Sequence, residues 1–192
     1  STGAISLSAG TTLTTTAALT ASGTSGAVTL SAGGNTSVES TITTELGLTV
    51  TTTGSATLAI SGALSSQDGA VSVTSASTLN TSAAVSGDSV TIQAAGTTTI
   101  GAAVSSDNGA VQLTNTASTV TINADVTSSG GAVTVTFNGG NLTLGDDVDI
   151  SSTGGALVFA SSGSYTIAAS SGGTIISTDN NVSIPKALAI SR

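Results

Sequence analysis

A short motif that recurs along the whole chain constrains the fold of this 192-residue sequence more than any other feature. The motif begins with Gly and continues with apolar residues at alternate positions, as in Gly131-Ala132-Val133-Thr134-Val135. Successive copies begin 20 to 26 residues apart, at Gly3, Gly26, Gly47, Gly69, Ser89, Gly109, Gly131, Gly155 and Asn181. Self-similarity at such a period is the signature of a repeat architecture. The sequence therefore contains eight full repeats and part of a ninth.

Each repeat contains three short runs in which apolar residues alternate with small or polar ones. In the repeat that begins at Gly109 the runs are Val111-x-Leu113, Val120-x-Ile122 and Ala124-x-Val126. Alternation with a period of two indicates a strand with one buried face. Three strands in a repeat of roughly 22 residues fit one coil of a parallel β-helix. We therefore predict an all-β fold: a single parallel β-helix (β-solenoid) over residues 1–192, with about eight coils and three short strands per coil.

In such a solenoid, equivalent side chains of successive coils stack into ladders. We predict a core ladder that consists of Val28, Leu30, Val111, Leu113, Val133 and Val135. In the second run of each repeat we align Tyr165-x-Ile167 with Leu142-x-Leu144, and Leu188-Ala189-Ile190 with Leu58-Ala59-Ile60.

Neither end of the repeat array carries a charged or helical cap. Uncapped solenoid ends expose unpaired strand edges, which another chain can join. We expect the array to be a segment of a longer chain or a self-stacking unit, so its partner is its own continuation or another copy. Ile5, Leu7, Leu188 and Ile190 are the residues predicted to lie near the joints.

The composition excludes several classes of function. Only 6% of residues are charged, with ten acidic and two basic residues, so the chain lacks the basic surface that binds nucleic acid or anionic membrane. No apolar run approaches the ~20 residues of a membrane-spanning helix, so we expect no membrane insertion. The sequence has no His and no Cys, which excludes Ser-His-Asp catalysis and sites built from imidazole or thiolate ligands. We expect no cofactor and no enzymatic activity.

Asp146, Asp147 and Asp149 form the densest group of acidic residues. Carboxylate oxygens are calcium ligands, so these three residues are the candidate metal site. Asp is also a common turn residue, and this structural role is the interpretation we favour. A catalytic pair of carboxylates, as in polysaccharide-degrading enzymes, would require a groove with further ionisable or aromatic groups, which the sequence hardly offers.

Thr-x-Thr pairs are a second candidate binding feature, because an outward ladder of threonines would order water and bind ice. The pairs are Thr14-x-Thr16, Thr41-x-Thr43, Thr97-x-Thr99 and Thr119-x-Thr121. They do not recur at one fixed position of the repeat, and Thr is in any case a favoured strand residue. An outward, in-register Thr or Tyr face would support a rod face that binds sugar or ice.

The repeat resembles the filamentous-haemagglutinin-like repeats of large bacterial surface adhesins of the two-partner-secretion and autotransporter kinds. The matching stretches are Gly26-Ala27-Val28-Thr29-Leu30-Ser31-Ala32-Gly33-Gly34-Asn35 and Gly131-Ala132-Val133-Thr134-Val135, and the resemblance spans nearly the whole chain. It implies export to the cell surface and a stalk-like role, and it brings no catalytic residues with it.

The function that we expect is structural: a stiff, non-enzymatic, extracellular segment of an adhesin or polymeric surface fibre, joined end to end by strand pairing. One alternative is a solenoid module that binds carbohydrate, such as host or cell-surface glycans, or ice. The other is a fragment of a β-helix polysaccharide-degrading enzyme.

Overall fold

A computed structural model describes residues 1–161, 165–169, 172, 174–177, 182–183 and 188–191. Within these residues the chain forms 26 strands and no helix, arranged as three parallel sheets. Every strand pairs with the strand three places earlier or later in the chain, so each coil contributes one strand to each sheet. The predicted three-stranded β-solenoid is therefore confirmed.

The first sheet contains nine strands, most of them five residues long. They are β1 (Ile5–Ala9), β4 (Val28–Ala32), β7 (Leu48–Thr52), β10 (Val71–Ser75), β13 (Val90–Ala94), β16 (Val111–Asn115), β19 (Val133–Phe137), β22 (Leu157–Ala160) and β25 (Val182–Ser183).

The second sheet also contains nine strands. They are β2 (Leu13–Thr15), β5 (Thr36–Val38), β8 (Leu58–Ile60), β11 (Leu79–Thr81), β14 (Thr98–Ile100), β17 (Val120–Ile122), β20 (Leu142–Leu144), β23 (Tyr165–Ala169) and β26 (Leu188–Ser191).

The third sheet contains eight strands, so eight coils have all three strands within the described residues. They are β3 (Leu19–Ala21), β6 (Ile42–Thr44), β9 (Leu64–Ser66), β12 (Val85–Gly87), β15 (Val104–Ser106), β18 (Val126–Ser128), β21 (Ile150–Ser152) and β24 (Ile175–Ser177).

The core lies between the three sheets and consists of columns of equivalent side chains. Burial alternates along the strands, as in β16, where Val111 and Leu113 are buried and Gln112 is exposed. Val111 pairs with Val133, and Leu113 pairs with Val135, in the next coil. All six residues of the predicted core ladder are buried and lie in these two columns: Val28, Leu30, Val111, Leu113, Val133 and Val135. Because β-branched and Leu side chains fill each layer, a narrow core needs few aromatics.

The register of the second sheet differs from the sequence alignment near the end of the chain. Leu142 pairs with Ile167 instead of Tyr165, and Ile167 pairs with Ile190. Ile190 therefore continues the column of Leu58, and our alignment of Leu188 with Leu58 was wrong by two residues. A shift of two residues keeps the same side chains facing inward, so alternation alone cannot detect it.

Over the described part of the chain there is no helix with the length and apolarity needed to cross a membrane.

Candidate functional surfaces and the open edge of the first coil

The acidic side chains occupy the corners of the solenoid, where turns connect the sheets. All nine carboxylate residues of the described chain lie outside the strands: Glu39, Glu45, Asp68, Asp88, Asp107, Asp125, Asp146, Asp147 and Asp149. Four of them lie at the corner between the third and first sheets in successive coils: Glu45, Asp68, Asp88 and Asp107. The sheet faces therefore carry no acidic side chain in the part of the chain that the structure describes.

The three candidate calcium ligands lie in the turn between β20 and β21, and all three are exposed. Asp147 adopts a left-handed backbone conformation with φ of 54°, which Asp tolerates better than most residues and which suits a tight turn. The Asp149 carboxylate accepts hydrogen bonds from the Thr174 amide at 2.8 Å and from the Thr174 hydroxyl at 2.5 Å. The Asp125 carboxylate in the preceding coil accepts a 2.9 Å bond from the Asp149 amide.

Asp125 and Asp149 therefore form a carboxylate ladder that joins successive coils at the start of the third sheet. The side-chain hydrogen bond from Thr174, together with the bond from the Thr174 amide, lowers the pKa of Asp149 below its ordinary value, because both donors stabilise the ionised form.

The described residues contain no group of three or more His, Cys, Asp or Glu side chains placed to hold a metal ion. The donors that Asp149 meets are protein hydrogen-bond donors in the next coil. This geometry supports the turn-forming role of the acidic residues and gives the calcium hypothesis no support.

The outward face of the first sheet carries two parallel files of mostly hydroxyl side chains. One file is Ser6, Thr29, Thr49, Ser72, Thr91, Gln112, Thr134 and Val158, and the other is Ser8, Ser31, Thr51, Thr74, Gln93, Thr114, Thr136 and Ala160. Twelve of these 16 residues are Ser or Thr, and the other four are uncharged. The first sheet thus presents a neutral, two-file array of mostly hydroxyl groups.

The Thr-x-Thr pairs considered above do not lie on this face. Thr14, Thr99 and Thr121 lie at the middle of second-sheet strands, and Thr43 lies at the middle of a third-sheet strand. Many outward positions of the first sheet hold Ser instead of Thr. A sequence pattern that requires two Thr residues in one strand therefore matches only isolated coils. Treating Ser and Thr as equivalent at the variable positions of the G-A-V-x-L-x motif would have found both files.

Buried serines join the third sheet to the first at four of the corners that follow a third-sheet strand: Ser66, Ser106, Ser128 and Ser152. The Ser128 hydroxyl donates to the Gly109 carbonyl oxygen at 2.8 Å and accepts a 3.0 Å bond from the Gly131 amide. Ser152 makes the equivalent contacts one coil later, to Gly131 at 2.7 Å and from the Gly155 amide at 3.1 Å. These bonds give the partly buried Gly131 and Gly155 amides an acceptor, and they tie the two turns to the preceding coils.

The first coil has an open edge, because no described strand pairs with the far side of β1 or β2. Ile5, Leu7, Leu13 and Leu19 are only partly buried, whereas the equivalent apolar side chains of the internal coils are fully buried. Two of the predicted joint residues, Ile5 and Leu7, therefore lie at this edge. The other two, Leu188 and Ile190, lie in β26 at the opposite edge of the second sheet.

Comparisons with protein-family models, with curated proteins and with solved structures find no match to this chain.

Proposed function

We propose that this chain is a stiff, non-enzymatic, extracellular segment of a surface adhesin or polymeric fibre, whose sheets are extended at the ends by strand pairing. The observation that carries this proposal is the continuous register of the first sheet, in which nine strands pair without a break from β1 to β25. Each coil rests on the next through backbone bonds in all three sheets, so the coils cannot slide independently. Such a stack transmits force along its axis and offers little internal freedom.

The dimensions and surface chemistry suit this role. Eight coil spacings of ~4.8 Å give a rod on the order of 40 Å long. In the part of the chain that the structure describes, the acidic side chains are confined to turns, and the Ser and Thr hydroxyls of the faces keep the rod hydrated. The resemblance to surface adhesin repeats supports the extracellular location.

Small-angle X-ray scattering and negative-stain microscopy of the purified chain test the proposal. We expect a rigid rod with a constant cross-section, either isolated or extended into fibres of the same width. A spherical or flexible particle would contradict a structural rod, because the coils would then not act as one rigid stack.

Binding of ice is a second candidate function, favoured by the two hydroxyl files of the first sheet. Their spacing is ~4.8 Å between coils and about 6.6 Å between alternate residues of a strand. In tetrahedral ice with hydrogen bonds of ~2.75 Å, second-neighbour oxygens lie about 4.5 Å apart and the hexagonal axis repeats at about 7.3 Å. The two lattices therefore differ by roughly a tenth or less in each direction.

Thermal hysteresis and ice-crystal shaping test this second function. Thr51→Lys and Thr74→Lys would place charges in the centre of the array, whereas Ser65→Lys places one on the third sheet as a matched control. We expect the first two variants to lose hysteresis and the control to retain it. Absence of hysteresis in the unmodified chain would contradict ice binding, and retention of a glycan in an array screen would favour the carbohydrate alternative.

A further inference from the structure

The covalent changes open to this chain are few. The sequence has no Cys and no Met, so the oxidation chemistry of sulfur side chains is absent. It contains two Asn-Gly dipeptides, Asn108-Gly109 and Asn138-Gly139, which are the pairs best suited to spontaneous loss of a side-chain amide. We infer that Asn138 is a site of spontaneous deamidation and that the stacking of the coils protects Asn108 from the same reaction. The inference goes beyond the proposed function and does not depend on it.

Deamidation of an Asn-Gly dipeptide requires the Gly backbone nitrogen to attack the side-chain carbonyl carbon, Cγ, of the Asn. The N–Cγ bond forms and the Cγ–Nδ2 bond breaks, and the side-chain nitrogen leaves as ammonia with the proton that the Gly amide loses. Water then opens the succinimide ring and leaves aspartate or isoaspartate. Gly favours the attack, because it has no Cβ to hinder the approach and its backbone is the least restricted.

Asp88, in the preceding coil, holds both reacting groups of the Asn108-Gly109 dipeptide. The Gly109 amide donates to the Asp88 carbonyl oxygen at 2.6 Å, and Asn108 Nδ2 donates to the Asp88 carboxylate at 2.5 Å. The first bond stabilises the protonated form of the nitrogen that must attack. The second is a charge-assisted bond that restrains the amide group that must leave. Asn108 is therefore held in an unreactive arrangement although its side chain is exposed.

The turn after β19 lacks an equivalent acceptor for the Gly139 amide. In the preceding coil, the Ala117 amide donates to the Asn115 side-chain oxygen at 3.1 Å. Gly139 lies directly over Ala117, and Phe137 is the register partner of Asn115. A Phe side chain has no oxygen, so the bond is not repeated.

In the part of the chain that the structure describes, no oxygen accepts a hydrogen bond from the Gly139 amide. The nitrogen that must attack Asn138 Cγ therefore has no acceptor to retain its proton, in contrast to the nitrogen of Gly109. The Asn138 side chain is exposed, like that of Asn108, so exposure does not distinguish the two sites and the hydrogen bonds do.

Deamidation at position 138 would also change the surface of the rod. The described carboxylates lie at the corners on either side of the third sheet, and the described turns between the first and second sheets contain none. Aspartate at this position would place a negative charge at that corner, and isoaspartate would in addition lengthen the backbone of a turn that stacks on Ala117.

The rates of deamidation in the folded and in the guanidinium-unfolded chain test the inference. Both samples are incubated in the same mildly alkaline buffer, and elastase peptides are analysed by mass spectrometry for conversion at each Asn. In the folded chain we expect Asn138 to convert many times faster than Asn108. In the unfolded chain we expect similar rates, because the two sites share the same dipeptide and the coil contacts are lost. Equal rates in the folded chain, or conversion of Asn138 only after unfolding, would overturn the inference.

Asp88→Ala tests the protection of Asn108 directly, because it removes the carboxylate that binds Asn108 Nδ2. We expect the Asn108 rate to rise severalfold and the Asn138 rate to stay the same. Asp68→Ala removes the acidic side chain at the same corner one coil earlier and is the matched control, which should leave both rates unchanged. Thermal melting shows that each variant is folded. An Asn108 rate that Asp88→Ala leaves unchanged in the folded protein would overturn the role of this carboxylate.

Discussion

Val111 and Val133 are register partners in successive coils, and both side chains are completely buried. They are 22 residues apart in sequence, one full repeat. This relationship extends along the solenoid, so the stability of each coil depends on the coils above and below it. We therefore expect a substitution that faces the core column to lower the stability, and one that faces the solvent to have little effect on it.

Leu113→Ala should lower the free energy of unfolding by about 2–5 kcal/mol, because it removes a buried side chain and leaves a cavity between Ile92 and Val135. Thr114→Ala, the next residue on the outward face, is the control and should change stability by less than about 0.5 kcal/mol. Urea denaturation followed by circular dichroism measures both. Equal effects of the two variants would contradict the assignment of inward and outward faces.

Ser128→Ala tests the serine that connects the third sheet to the first. Removing the hydroxyl takes away the acceptor of the partly buried Gly131 amide, whereas the Gly109 carbonyl keeps a 2.6 Å bond from the Ser106 hydroxyl, so we expect a loss of about 1 kcal/mol. Thr127→Ala changes the outward neighbour on the same strand and should have little effect. Thermal melting distinguishes them, and a Ser128→Ala protein as stable as the unmodified chain would show that this contact contributes no stability.

Asn115 is a buried polar residue whose side-chain amide nitrogen and oxygen both have hydrogen-bond partners. Its amide nitrogen donates to the Gly96 carbonyl and to the Thr98 hydroxyl, and its oxygen accepts bonds from the Ala117 and Ser118 amides. Asn115→Leu keeps the branch at Cγ but removes all four bonds, so we expect a loss of several kcal/mol, at about 1–3 kcal/mol for each unsatisfied group.

Hydrogen exchange locates the effect of Asn115→Leu. The Ala117 and Ser118 amides should exchange faster in the variant, while amides at the distant Val28 and Leu30 should keep their protection. Unchanged protection at Ala117 would mean that water or another group replaces the Asn115 oxygen.

Asp149 gives a prediction on pH dependence. Because Thr174 lowers the pKa of Asp149 in the folded protein, this carboxylate contributes stability that is fully present above the unfolded pKa of ~3.9 and is lost as pH falls through the folded value. Carbon-detected NMR titration of the Asp149 side chain should show the lowered pKa. Thr174→Val removes the hydroxyl donor and should raise that pKa towards its ordinary value, whereas an unchanged titration would contradict the assigned cause.

The coil architecture could be predicted from the sequence because apolar residues alternate with polar ones in most strands and most turns contain Gly, Asn, Asp or Ser. The sequence did not predict the register of β23 and β26, since a two-residue shift leaves the same faces buried. It also missed the buried serines, because Ser128 and its equivalents follow the apolar residue of a weak third run and look like turn residues. The two hydroxyl files of the first sheet were not predicted, because the same outward position holds Ser in some coils and Thr in others.

Methyl NOE spectroscopy of the 17.9 kDa chain tests the central claim most directly, namely that the chain returns onto itself once per repeat. The account predicts strong contacts from the Val133 methyl groups to those of Val111 and Leu157, the residues one coil away on either side. It predicts none from Val133 to Val90, which lies two coils away. The absence of Val111–Val133 contacts, or equally strong Val90–Val133 contacts, would contradict the stacked coils and the mechanical function that depends on them.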